Sequence, residues 1–393
     1  MAPPPPPPEL MDRVAASLPV DLVSEILLRL PTDEPEHLFR AALVCKAWLR
    51  LTCDPAFLRR YRAFHGSPPL LGFLQRRQVL QGDPAPRIVG TTAVPLFPDP
   101  QFRRALDCRH GRVLLHASDD GWHLIVWDPV TGEQHRVPEP DIPWLIYSAA
   151  VFCAVSGCDH LDCHGGPFRV VFMATDEDDD VVKASVYSSE TGSWTIPVTL
   201  DDGFQSREQR MEAALEVMRR GQFYGVPYVQ PRRGAVIGDE IYFTIRNDNA
   251  IVKYNWGTNC LSKIDPPSSD VYDIALMGME NGSLGFVYIR NCSLYVWSMK
   301  VNSQGAAEWV QCWAVELEKM IPVANLKDEA FVVGSAEGVG VIFVSTGVGL
   351  FSIELKSRRV KKVNDLEVYF SILPYMSFYT PDRGTLLSLA RTL

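Results

Sequence analysis

The sequence lacks a basic surplus: lysines and arginines number 38 against 47 aspartates and glutamates, a net charge of −9. Dedicated nucleic-acid binders carry the opposite imbalance, so that class is disfavoured. Long apolar runs are also missing. The longest uncharged stretches, Ile142–Cys158 and Gly338–Ile353, fall short of the roughly 20 residues that span a bilayer, and Pro143 or repeated glycines break them. The opening MAPPPPPPELMDR has neither a basic leader nor an apolar core, so no secretory signal is expected. Nine cysteines, an odd number, fit reduced thiols better than a disulfide framework. The expectation is a soluble intracellular protein, in cytoplasm or nucleus, without membrane or nucleic-acid partners.

Catalytic signatures are scarce as well. Gly282-Ser283-Leu284-Gly285 does not have the spacing of a nucleophile elbow, and Gly338-Val339-Gly340 sits among strand formers rather than before a helix. No carboxylates are paired by spacing. The reading is therefore non-enzymatic, with no cofactor, although a propeller enzyme or lectin stays as an alternative.

The first residues form a polyproline tract, Pro3–Pro8, which favours an extended solvated conformation: a tail over residues 1–12 that is disordered or docks in an aromatic groove. Residues 13–66 read as short helices. Leu22, Val23, Ile26, Leu27 and Leu30 recur at intervals of three and four, and Pro31 stops that helix. Asp33 and Glu36 read as a capping box for a second helix, and Asp54-Pro55 as an N-cap and first-turn proline for a later one. So small a unit buries only part of its leucines, and leftover apolar surface is an interface.

After Gly66-Ser67-Pro68-Pro69 the composition shifts to Val, Ile, Phe, Tyr and Trp with frequent turn residues, so residues 67–393 read as many short strands. One unit recurs: an apolar strand, an anchor, a turn, a second strand. Its anchors are Trp127, Tyr187, Tyr254, Trp297 and Ile353, which points to propeller blades, six in number. Thr131-Gly132 and Thr191-Gly192 stand where the hairpin needs a positive φ. Arg207–Arg220 reads as an inserted helix with Met211, Leu215 and Met218 on one face, and Asp176–Asp180 as a solvated hairpin tip. The fold class is α+β multidomain, a small helical unit followed by an all-β propeller-like domain.

Two resemblances follow from these residues. Leu18-Pro19-Val20-Asp21-Leu22-Val23-Ser24-Glu25-Ile26-Leu27-Leu28-Arg29-Leu30-Pro31, followed by Val44-Cys45-Lys46-Ala47-Trp48, resembles the F-box motif. The stretches Pro69–Phe73, Asp107–Leu115, Trp127–Gly132 and Pro374–Pro381 resemble the associated domain of plant F-box proteins, especially a group in grasses. The resemblance implies a substrate receptor of a Skp-cullin-F-box ubiquitin ligase. The F-box would dock on a Skp-type adaptor, and through it on a cullin-RING ligase, while the propeller recruits an unknown protein substrate. The adaptor-facing or supporting set it implies is Leu18, Pro19, Leu22, Ile26, Leu27, Leu30, Pro31, Val44, Cys45, Lys46 and Trp48, with Trp48 the hot spot; the competing reading makes these the helices' own core. A basic excess between Arg40 and Arg77 suits an acidic adaptor or merely a solvated face. A non-degradative propeller scaffold or ligand-binding module is the alternative function.

One dense cluster of metal-ligating residue types stands apart, in FCAVSGCDHLDCHGGPF. Its members are Cys153, Cys158, His160, Cys163 and His164, of which Cys153, Cys158, Cys163 and His164 are the four that zinc would take, but the spacing does not form two knuckles and one short loop rarely wraps four corners. The reading from spacing is a reduced surface loop without metal.

Overall fold

The structure, a computed structural model, describes residues 19–76, 88–90, 104–117, 121–201, 203, 206–220, 227–246, 250–268, 271, 273–301, 307–321, 330–336, 338–365 and 371–381. The polyproline tract and Leu18 lie outside the described residues.

Four helices come first: α1 Val20–Leu27, α2 Glu36–Ala42, α3 Lys46–Thr52 and α4 Pro55–His65. Helix α1 ends ahead of Pro31, with Leu28 as its C-cap. The expected Asp33–Glu36 capping box is not made; Pro35 caps α2 and contributes no side-chain hydrogen bond. Asp54 does cap α4, accepting from Phe57 N at 2.9 Å ahead of Pro55. Gly66 ends α4 at φ +72°, a conformation glycine reaches without a Cβ penalty.

The remainder is strand. β1 (Leu70–Arg76) and β2 (Ile88–Gly90) precede a sheet of β3 (Arg104–Arg109), β4 (Arg112–Ala117), β5 (His123–Trp127) and β6 (Gln134–Val137). The next has β7 (Trp144–Cys153), β8 (Phe168–Asp176) and β9 (Val182–Ser188), with β10 (Ser193–Trp194) and β11 (Val198–Thr199) both on β9. Helix α5, Arg207–Arg219, follows as the expected insertion. A third sheet joins β12 (Tyr228–Val229) and β13 (Ala235–Ile237) to β14 (Glu240–Arg246), then β15 (Ala250–Asn255) and β16 (Cys260–Ile264). The fourth has β17 (Ala275–Gly278), β18 (Leu284–Arg290), β19 (Ser293–Val301) and β20 (Ala307–Glu316); the fifth has β21 (Phe331–Ala336), β22 (Val341–Thr346), β23 (Gly349–Glu354) and β24 (Val360–Asn364).

The last strand, β25 (Ser371–Met376), pairs antiparallel with β1, so chain ends share one sheet in the order β2-β1-β25. First strands neighbour one another around a ring: β3, β7, β12 and β13, β17, β21, β25, and back to β3. The expectation of six blades is corrected. Among the described residues there are five full blades of four or five strands and one three-stranded closing sheet. The closing strand ends at Met376, and Ser377–Tyr379 leave the sheet.

Each repeat anchor lies on the third strand of its blade: Trp127 on β5, Tyr187 on β9, Tyr254 on β15, Trp297 on β19 and Ile353 on β23. Five residues past four of these anchors the backbone turns left-handed, at Gly132, Gly192, Asn259 and Arg358, with φ +79°, +66°, +50° and +57°. One hairpin geometry is thus reused with different residues. Inner strands such as β8 are buried almost throughout, whereas the outermost β6 and β20 are largely exposed. Charges on outer strands, such as Arg136, Lys361 and Lys362, discourage edge pairing with other chains.

Buried ion pairs tie the ring across its centre. Asp107 Oδ2 pairs with Arg109 and accepts from Val151 N at 2.9 Å, and its Oδ1 accepts from Arg233 Nε at 3.2 Å. Arg233 also donates to Ser335 O and Cys108 O, both at 3.0 Å. First, third and fifth blades therefore meet at one guanidinium, that of Arg233.

Candidate functional site

The helical segment divides its apolar residues between two jobs. Val23, Leu27, Leu28, Leu38, Phe57 and Tyr61 form its core. Leu22 and Ile26, one helical turn apart on α1, are 48% and 50% exposed with the propeller in place. Pro19, Pro31 and Lys46 are exposed too, while Leu30, Val44, Cys45 and Trp48 are half-buried. Leu27 is an interior residue at 2% exposure, and so supports the surface rather than forming it. The Trp48 ring packs on the core with its Nε1 buried and unpartnered among the described residues. Val20 and Leu43 are also exposed, at 65% and 72%, although no periodicity singles them out. The basic excess is partly spent internally: Arg60 pairs with Glu25 at 2.8 Å, Arg40 with Glu36 at 3.5 Å, and Arg62 with Asp162.

The helices rest on the propeller through aromatic contacts. Phe39 stacks on Tyr379 with ring centroids 4.9 Å apart, and Tyr61 meets Phe378 edge-on at 6.3 Å. Phe378 is 4% exposed and belongs to the helical core. Tyr61 Oη donates to Leu30 O at 3.0 Å, and burial, then the Asp33 charge, push its phenol above the ordinary range. Leu161 packs on the same core, and Arg62–Asp162 adds an ion pair from the loop between β7 and β8.

That loop carries the cysteine cluster. His164 does not join it. Its Nδ1 is 2.6 Å from Asp128 Oδ2 and its Nε2 3.3 Å from Asp162 Oδ1, and these hydrogen bonds raise the imidazole to about 9 against the opposing effect of burial. His160 takes the place expected of His164: ligand atoms of Cys153, Cys158, His160 and Cys163 all lie within 4.8 Å of one another. Burial, and then the neighbouring Cys153, push the Cys163 thiol up to about 12, with Arg112 opposing.

Two cavities open at opposite ends of the inner strands. A volume of about 980 Å³ is lined by strand ends and loops including Arg109, Cys158, His160, Trp256 and the linker residue Pro68. At the other mouth about 300 Å³ is lined by Arg104, Trp144, Tyr147, Tyr228, Arg232 and Arg246. The Met211, Leu215 and Met218 face of α5 is exposed. Among the described residues no helix is long and apolar enough to cross a membrane.

Comparison with known proteins agrees with this division. Residues 15–64 match the F-box-like family, and residues 104–382 match the family described as F-box protein AT5G49610-like, beta-propeller. F-box protein At5g03970 of Arabidopsis thaliana is 24% identical over 326 residues, covering 76% of this chain and 69% of that protein. A shorter match to At1g47765 of Arabidopsis thaliana is 46% identical over 57 residues and spans only 14% of either chain. A solved structure of SapL1 lectin in complex with alpha methyl fucoside aligns over 77% of this chain and 99% of its own, with 13% identity and a TM-score of 0.40.

Proposed function

This chain belongs to the family of F-box proteins with an AT5G49610-like β-propeller, and on that premise we propose that it is the substrate-recognition subunit of a Skp-cullin-F-box ubiquitin ligase. The helices dock on a Skp-type adaptor and the propeller holds the protein to be ubiquitinated. Catalysis belongs to other subunits. The observation that carries this reading is the apolar pair Leu22 and Ile26, which stays exposed when the helices are seated on the propeller. Apolar surface left open beside a satisfied core supports a partner interface. Burial of the two side chains against an adaptor would contribute on the order of 1.5–3 kcal/mol each at most.

The propeller mouth lined by Trp144, Tyr147 and Arg246 is the face we assign to the target protein, since the linker and the cysteine loop crowd the opposite mouth. The test is binding of the purified full-length chain to a Skp-type adaptor, followed by co-purification of a cullin. Binding by the parent and its loss in Leu22→Lys/Ile26→Lys support the reading. A folded parent that ignores the adaptor overturns it. An adaptor-bound chain whose propeller partners keep unchanged lifetimes would instead be a scaffold.

A further inference from the structure

The loop after β7 brings three thiols and an imidazole to one point. Cys153 is the last residue of β7, while Cys158, His160 and Cys163 come from the loop that follows. The four ligand atoms therefore approach from a sheet end and a loop, so the short loop is not asked to wrap all four corners. His160 stands at φ +58°, a left-handed conformation that turns its ring back toward the sulfurs. Its Nδ1 is 3.6 Å from Cys163 Sγ. A tetrahedral zinc with bonds of about 2.3 Å to sulfur and 2.0–2.1 Å to nitrogen sets its S···N edge near 3.6 Å.

Backbone donors face two of the sulfurs. Val155 N donates to Cys153 Sγ and His160 N to Cys158 Sγ, both at 3.4 Å. Contacts of that kind orient ligand atoms. His110 stacks face to face on His160 at 3.8 Å, and its own Nδ1 accepts from Cys153 N at 3.1 Å, so the ligand ring and a ligand backbone are held by one side chain.

Arg112 supplies the charge argument. It is 1% exposed, donates through Nη2 to Gly166 O at 2.7 Å and to Cys163 O, and lies 5.7 Å from the Phe168 ring. Its Nη1 is buried without a partner, and no carboxylate pairs with it among the described residues. An unpaired buried guanidinium is costly. Three thiolates, a neutral imidazole and a divalent ion carry a net single negative charge, which would offset it.

We propose that Cys153, Cys158, His160 and Cys163 bind one zinc ion in a closed, structural site that holds the loop beneath the helical domain. Soft sulfur donors with one imidazole and no open position select zinc over magnesium or calcium.

The test uses the full-length chain purified under reducing conditions without chelator. Metal analysis should give about one zinc per chain. Cys158→Ser/Cys163→Ser should lose the ion, whereas His164→Asn should keep it. To separate loss of the ion from loss of the fold, the parent is also stripped and titrated with cobalt(II). A thiolate-to-cobalt charge-transfer band, bleached by one equivalent of zinc, supports the site. A folded parent with neither bound zinc nor that band overturns it, as does a disulfide among these cysteines in the folded parent.

Discussion

Phe39 on α2 stacks on Tyr379, a residue beyond the last strand, with ring centroids 4.9 Å apart. Together with Phe378 in the helical core, this contact makes the chain's C-terminal segment part of the seat for its N-terminal domain. Phe378→Ala should cost about 3–5 kcal/mol of the coupling between the two units, since a buried ring leaves a cavity. Limited proteolysis should then cut faster between Gly66 and Pro69 while adaptor binding persists. Unchanged cleavage would mean that the seat does not depend on these rings.

Leu22 and Leu27 occupy the same helix yet predict different failures. Leu22→Lys/Ile26→Lys should abolish adaptor binding by 100-fold or about 2.7 kcal/mol, with the melting temperature unmoved. Leu27→Lys buries an unpaired ammonium and should unfold the helical segment, visible as lost helical circular dichroism. Equal behaviour of the two variants would reject the partition of α1 into an outer and an inner face.

Asp107 is wholly buried between Arg109 and Arg233. Asp107→Ala removes the carboxylate that the two buried guanidinium groups share, a loss of about 3–5 kcal/mol in denaturant unfolding. A loss under about 1 kcal/mol would remove the ring-closing role assigned to it.

His116 on β4 has its Nε2 buried without a partner among the described residues, beside Trp122 and Tyr147. Burial first, then the charges of Arg104 and His123, lower its imidazole to about 4. Unfolded, it titrates near 6.5. Between those values the unfolded chain binds more protons, so this group's contribution is full above pH ~6.5 and is lost as pH falls toward 4. His116→Phe should flatten that limb of the stability curve. A parent and variant that differ by a constant across the window would contradict the assignment.

Gly132 and Gly192 have no neighbour within 4 Å of the position a Cβ would take, so alanine there meets only the backbone penalty of a positive φ. Each change should cost about 1 kcal/mol in thermal unfolding. Gly234 is different: a Cβ would sit 2.5 Å from Tyr242 O, and Gly234→Ala should cost several times more because backbone must move.

Local chemistry made much of this molecule legible. The Asp54-Pro55 cap, the α5 insertion and the glycine hairpins depend on residues within a turn of one another, and the anchor spacing reports strands that pair with sequence neighbours. Register across the ring was not legible in this way, because a blade's inner strand meets partners far along the chain. That is why the closing sheet has three strands where a sixth blade was expected.

The split of Leu22 from Leu27 had the same origin. A helical stripe shows that both residues are on the apolar side, but which of them faces the core depends on where α4 and Phe378 pack. His160 and His164 exchanged roles for a related reason: spacing treats two nearby histidines alike, whereas a left-handed φ at His160 and a carboxylate at Asp128 send their rings apart. Sequence alone determined the family, the helical and strand-rich halves and the repeat; tertiary structure decided which side chains stay exposed, because exposure is set by contacts between segments that no local pattern encodes.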